Sequence, residues 1–116
     1  MIKSIAFFVY PVREVARSIQ FYEDALGLVQ SMNYDNAWIE YDIASGTFAI
    51  SNMLEKETPG ARGGMVAFEV VDFDATVAKL KAKGVPFITE PFDTPVCRFA
   101  CVSDPDGNGI MLHKKK

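Results

Sequence analysis

Few residues in this sequence have the means to do chemistry. His113 is its sole histidine, and an imidazole titrating near neutral pH could serve as a general base. It could equally be a partly exposed residue at a strand end. Glu69 sits in Ala67-Phe68-Glu69-Val70, where apolar neighbours could raise its pKa and make it an acid, or where a lysine or arginine could pair with it. Arg98 could hold a ligand carboxylate or phosphate with its planar fork, or could lie on an ordinary surface. Trp38 and Tyr41, in Ala37-Trp38-Ile39-Glu40-Tyr41, could stack on a planar ligand or pack in a core. Their opposite parity sends them to opposite faces of a strand. Cys97 and Cys101 lie four positions apart in a strand-like run. At about 3.3 Å per residue that is roughly 13 Å, too far for a disulfide. They read as reduced packing residues, with a reactive thiol as the lesser alternative. No Ser-His-Asp or Cys-His signature and no Gly-rich phosphate loop is present.

These residues must be positioned by elements, and the elements repeat. Ser4–Val9 is an apolar strand. Val15, Ile19, Tyr22 and Leu26 then fall on one helix face, and Gly27 stands where a left-handed C-terminal residue belongs. Met65–Val70, the stripe Phe73, Val77 and Leu80, and Gly84 repeat that order, with Asp72 placed to cap the helix. Val12 matches Val70, Glu14 matches Asp72 and Ser18 matches Thr76, each 58 residues on. Three strand candidates follow each helix. The first set is Leu28–Tyr34, Ala37–Ile43 and Thr47–Asn52, joined by turns at Asp35-Asn36 and Ala44-Ser45-Gly46. The second is Pro86–Phe92, Cys97–Ser103 and Gly109–His113, with Asp104-Pro105-Asp106-Gly107 a type I turn signal. The polar stretch Glu55–Gly63 reads as a linker. The expected organisation is a first βαβββ module over 1–54, a linker over 55–63 and a second module over 64–116, together one compact α+β domain with mixed sheets.

Composition narrows the partners. Of 116 residues, 49% are apolar, and the net charge is −3, which suits a packed core and argues against nucleic acid. Lys114-Lys115-Lys116 reads as a solvated end. No segment approaches the roughly 20 apolar residues that cross a bilayer, and the N-terminus lacks a signal-peptide pattern. Cytoplasmic residence is the expectation. A chain of this size buries only about 65% of its unfolded surface, so a homodimer would add useful burial.

The sequence resembles the vicinal oxygen chelate superfamily, which includes glyoxalase I, the bleomycin-resistance proteins and the extradiol dioxygenases. The resemblance rests on Ser18-Ile19-Gln20-Phe21-Tyr22 with Leu26-Gly27-Leu28, on Ala67-Phe68-Glu69-Val70, on Leu80-Lys81-Ala82-Lys83-Gly84-Val85, and on Asp104-Pro105-Asp106-Gly107-Asn108. It covers nearly the whole chain. It implies paired βαβββ modules whose sheets curl around a cleft, and a dimer. In family enzymes the cleft holds a divalent metal chelated by vicinal substrate oxygens.

That metal takes His, Gln or Glu from the first and fourth strands of each module. Carried over by resemblance, the four positions fall on Phe7, Ala49, Met65 and Met111. Phenylalanine and alanine have no donor, and a thioether is a soft ligand suited mainly to Cu(I). The flanking Phe8, Ile50, Val66 and Leu112 are apolar too, so a one-residue shift of register does not restore the set. The expectation is a lost divalent-metal site, no cofactor, and an apolar, adaptable lining. Strand alternation adds Ser51, Glu69 and His113 to the cleft side.

The expected function is therefore a protein of this superfamily that binds or sequesters a small apolar or aromatic molecule without metal. The candidate ligand-binding residues are Phe7, Ala49, Ser51, Met65, Met111, Trp38, Tyr41 and Arg98. The alternative is a glyoxalase-like lyase, isomerase or oxygenase using Glu69 or His113. A third option, a structural or regulatory partner domain, would show an exposed apolar patch and no open pocket.

Overall fold

Alternating apolar residues make strands and 3.6-periodic ones make helices, and here both occur twice. The structure is a computed structural model and describes residues 1–54, 56–61 and 63–116. Of the expected linker, Glu55 and Arg62 lie outside the described residues. The chain divides into two units, Met1–Pro59 and Gly60–Lys116. Each is a four-stranded mixed sheet with one helical segment, an α+β arrangement built as two tandem βαβββ modules.

The first unit runs β1 (Phe8–Pro11), α1 (Val15–Ile19) continuing into a π-helical stretch (Gln20–Ala25), β2 (Met32–Tyr34), β3 (Trp38–Ile43) and β4 (Gly46–Ser51). The strand order is β1-β4-β3-β2, with β1 parallel to β4 and the other pairs antiparallel. β1 begins four residues later than the apolar run suggests. It pairs Phe8 with Phe48, and in that register Ser4, Ile5 and Ala6 would face Ala44, Ser45 and Gly46. Ala44 and Ser45 form the turn into β4, where Ala44 has φ +52°, and Gly46 opens the strand. The early residues have strand character and no ladder to join. Asp35 and Asn36, with φ +54° and +50°, make the mirror-image two-residue turn that matches strand twist.

The helical face is also rotated from its expected stripe. Val15, Ser18, Phe21, Tyr22 and Ala25 are buried, while Ile19 and Leu26 are only half-buried. Leu26 N–H donates to the Phe21 carbonyl at 3.1 Å, one residue further back than in an α-helix. That wider turn re-phases the side chains. The face packs on an aromatic core, with the Tyr22 ring centroid 5.1 Å from Phe48 and Tyr10 5.8 Å from Phe48.

The second unit runs β5 (Val66–Glu69), α2 (Phe73–Ala82), β6 (Phe87–Asp93), β7 (Cys97–Ser103) and β8 (Gly109–Lys115), in strand order β5-β8-β7-β6. β5 and α2 start 58 residues after β1 and α1, as the repeat requires. Asp72 caps α2, its carboxylate accepting from Ala75 N–H at 3.0 Å. Phe73, Val77 and Leu80 are buried. Gly27 and Gly84, at φ +75° and +74°, end the two helical segments in the conformation expected of them. In the Asp104–Gly107 turn, Gly107 N–H donates to the Asp104 carbonyl at 3.0 Å. No described helix is long and apolar enough to cross a membrane.

Candidate functional site

In each unit the helix covers one sheet face, and cross-strand pairing assigns every side chain to that face or the other. In the first unit Tyr41 pairs with Phe48 and Ile39 with Ile50, all four buried on the helix side. Trp38 pairs with Ser51 and Glu40 with Ala49, on the opposite face.

Trp38 and Phe7 meet on that opposite face, edge to face, with ring centroids 5.4 Å apart. Phe7 is 42% exposed and Tyr34, directly across from Trp38, is 60% exposed. The Trp38 indole N–H donates to Glu40 Oε2 at 2.8 Å. Glu40 was not among the residues that the sequence pointed to, although its place two positions after Trp38 carries the signal. Ala49 lies on this face but is fully buried.

Two candidates here are spent on structure. Tyr41 is not a ligand stacker. It is fully buried on the helix side, and its hydroxyl donates to Glu23 Oε2 at 2.9 Å. Burial first, and that hydrogen bond second, push its pKa well above the ordinary tyrosine value. Ser51 is buried, donates to the Ala37 carbonyl at 2.8 Å and accepts from Met53 N–H at 2.9 Å. Its hydroxyl pins the β3 entry, its one donor spent there and the residue fully buried.

In the second unit, Ala67 pairs with Met111, Glu69 with His113 and Cys101 with Met111, all on the face away from α2. His113 Nδ1 lies 2.5 Å from Glu69 Oε1, and Lys115 N–H donates to Glu69 Oε2 at 2.7 Å. Glu69 is exposed. The Lys115 N–H, and then His113, hold its carboxyl below the usual carboxylate range. The expectation of a raised pKa is thus reversed, because the donors that Glu69 gains outweigh its desolvation. Met65 is 42% exposed, Met111 half-buried, and Cys101 Sγ stands 3.9 Å from Met65 Sδ. Both cysteines are free thiols.

Arg98 faces the other way. Its guanidinium lies 4.6 Å from the Phe73 ring centroid and pairs with Asp74 at 3.0 Å and Asp93 at 4.0 Å. It ties α2 to its sheet instead of standing beside Met111.

Among the described residues, no group of three or more His, Cys, Asp or Glu side chains could hold a metal ion. At the positions implied by the family resemblance the first unit carries Phe7 and Ala49 and the second Met65 and Met111, none of which has an oxygen or nitrogen donor in its side chain.

Comparison with known proteins adds a context for this geometry. The family model described as Glyoxalase/Bleomycin resistance protein/Dioxygenase superfamily matches residues 4–112. CFP32 of Mycobacterium tuberculosis (strain CDC 1551 / Oshkosh) is 39% identical over 93 residues, which is 78% of this chain and 36% of that protein. The chain therefore spans about a third of the length of this curated relative. Among solved structures, TnmS3, an antibiotic binding protein from Streptomyces sp. CB03234, superposes with a TM-score of 0.84 at 26% identity, covering 99% of this chain and 98% of that one. A glyoxalase/bleomycin resistance protein from the same organism has a TM-score of 0.79 at 28% identity, covering 94% and 98%.

Proposed function

The chain belongs to the glyoxalase/bleomycin resistance protein/dioxygenase superfamily, and from that membership we propose that it binds or sequesters a small apolar or aromatic molecule without the divalent ion its family enzymes use. The observation that carries this reading is the Phe7–Trp38 pair, two rings set edge to face on the sheet face away from the helix. Such a pair offers a flat ligand both a ring face and a ring edge at little entropic cost. The likeness to TnmS3, over nearly the full length of both chains, supports the same reading.

In this reading Phe7 and Trp38 stack on the ligand. Glu40 holds the indole in place. No step passes through a divalent ion, because the residues at its positions cannot hold one. The catalytic alternative asks Glu69 or His113 to exchange a proton with substrate. The pair instead bond to each other in an exposed place, with the Glu69 carboxyl held ionised, which favours binding over acid catalysis. The protein acts as a homodimer in the cytoplasm in this proposal.

Trp38 is the only tryptophan, so its fluorescence reports on the site directly. Planar aromatic compounds are expected to quench it and to raise the melting temperature by mass action. Trp38→Ala is expected to abolish the thermal shift while the protein stays folded. A broad set of such compounds that moves neither signal would overturn the proposal.

A further inference from the structure

Cys101, Met65 and Met111 bring three sulfur atoms to one face of the second unit, and neither the family's metal positions nor the ligand proposal accounts for Cys101. We infer that these three side chains bind a soft monovalent metal ion, copper(I). The inference does not rest on the ligand-binding reading.

The geometry is that of a trigonal sulfur site in the making. With metal–sulfur bonds of about 2.3 Å, as for a zinc thiolate, three sulfurs around one ion stand roughly 4.0 Å from one another. Cys101 Sγ and Met65 Sδ are already 3.9 Å apart. Met111 is the direct cross-strand partner of Cys101 on the same face, and its flexible thioether can close the triangle by a rotamer change. A Cβ at Gly109 would stand 2.9 Å from the Met65 terminal methyl, so the bare glycine leaves Met65 its place beside Cys101. Met65, 42% exposed, is the way in, and Cys101, 5% exposed, is the anchor.

The chemistry of the set selects the ion. One thiolate and two thioethers suit copper(I), whereas manganese would want oxygen ligands and zinc more thiolate or imidazole ligands than the single thiolate here. The histidine and carboxylate on the same face, His113 and Glu69, are bonded to each other. On binding, the Cys101 thiol releases its proton to solvent and the sulfur lone pair forms the bond to copper(I). No electron is transferred, and affinity rises with pH.

The test is copper(I) titration of the whole chain, anaerobically with ascorbate, in competition with bicinchoninate, whose copper(I) complex is coloured. One copper(I) per chain is expected, with X-ray absorption showing only sulfur neighbours. Cys101→Ser should weaken binding by more than the roughly 100-fold that loss of an outer-shell partner can cost. The volume-conserving Met65→Leu and Met111→Leu should each weaken it roughly 10-fold with the fold kept. Cys97→Ser, whose thiol lies beside Thr94, should bind as the parent does. The proposal fails if the folded parent takes up no copper(I). It fails equally if Cys101→Ser or either leucine variant binds unchanged, or if Cys97→Ser loses the ion.

Discussion

Glu69 and His113 are neighbours on parallel strands, 44 residues apart in sequence, and each answers the other's need for a partner. Glu69 also collects the Lys115 N–H, and acceptance of these donors favours its charged form. A carboxylate whose pKa is depressed by folding adds stability above its ordinary pKa of 4.5, and that contribution is lost as pH falls through the folded value. Glu69→Gln should therefore melt lower than the parent near neutral pH. The gap should close on acidification below that region. Thermal melts of both proteins across the acid range check this, and a gap that widens with acid would contradict it. The same scale separates Trp38 from Tyr41. Both are aromatic and three residues apart, yet one donates to Glu40 on the open face and the other to Glu23 under the helix.

The two helical segments are copies with unequal ends. Asp72 closes α2 with a side-chain hydrogen bond, and the Thr76 hydroxyl donates to the Asp72 carbonyl at 2.7 Å. Glu14, at the matching place before α1, makes no such cap. α1 stays in α-helical form for only five residues before the π-helical stretch begins, whereas α2 keeps ten. Asp72→Ala should cost about 1 kcal/mol, the usual worth of an N-cap, read from the shift in urea midpoint at unchanged slope. A change within error would mean that packing of Phe73, Val77 and Leu80 alone holds α2. The strands teach a related point. Ser4 and Ile5 continue the apolar run, but a strand needs a partner, and in this register they would face the turn residues Ala44 and Ser45.

For the molecule as a whole, the surface carries more apolar residues than its units cover. Ile2 (91% exposed), Ile5 (90%), Val29 (79%), Val71 (93%) and Val96 (71%) all face solvent. Apolar side chains at a surface mark a partner's footprint where they are contiguous, and the proposed homodimer would cover residues of this kind. Sedimentation equilibrium should return twice the mass of one chain, 12.8 kDa, and the melting temperature should rise with protein concentration. A monomer at all concentrations would send these side chains to a different partner.

Much of the architecture was legible because it is local. The capping aspartate, the glycines that end each helical segment and the Asp104–Gly107 turn are each written within a few residues, where propensity and sterics act, and the repeat is that local pattern written twice, 58 residues apart. The family resemblance rests on those same pieces. What a sheet does with its two faces is not local. Alternation said that Trp38 and Tyr41 part company, but only the helix packed on Phe48 decided which of them is buried. The contacts of Glu69 with His113 and of Met65 with Cys101 come from pairing β5 beside β8 and β8 beside β7. Such a register joins segments far apart in the chain, and no window of sequence contains both sides of it.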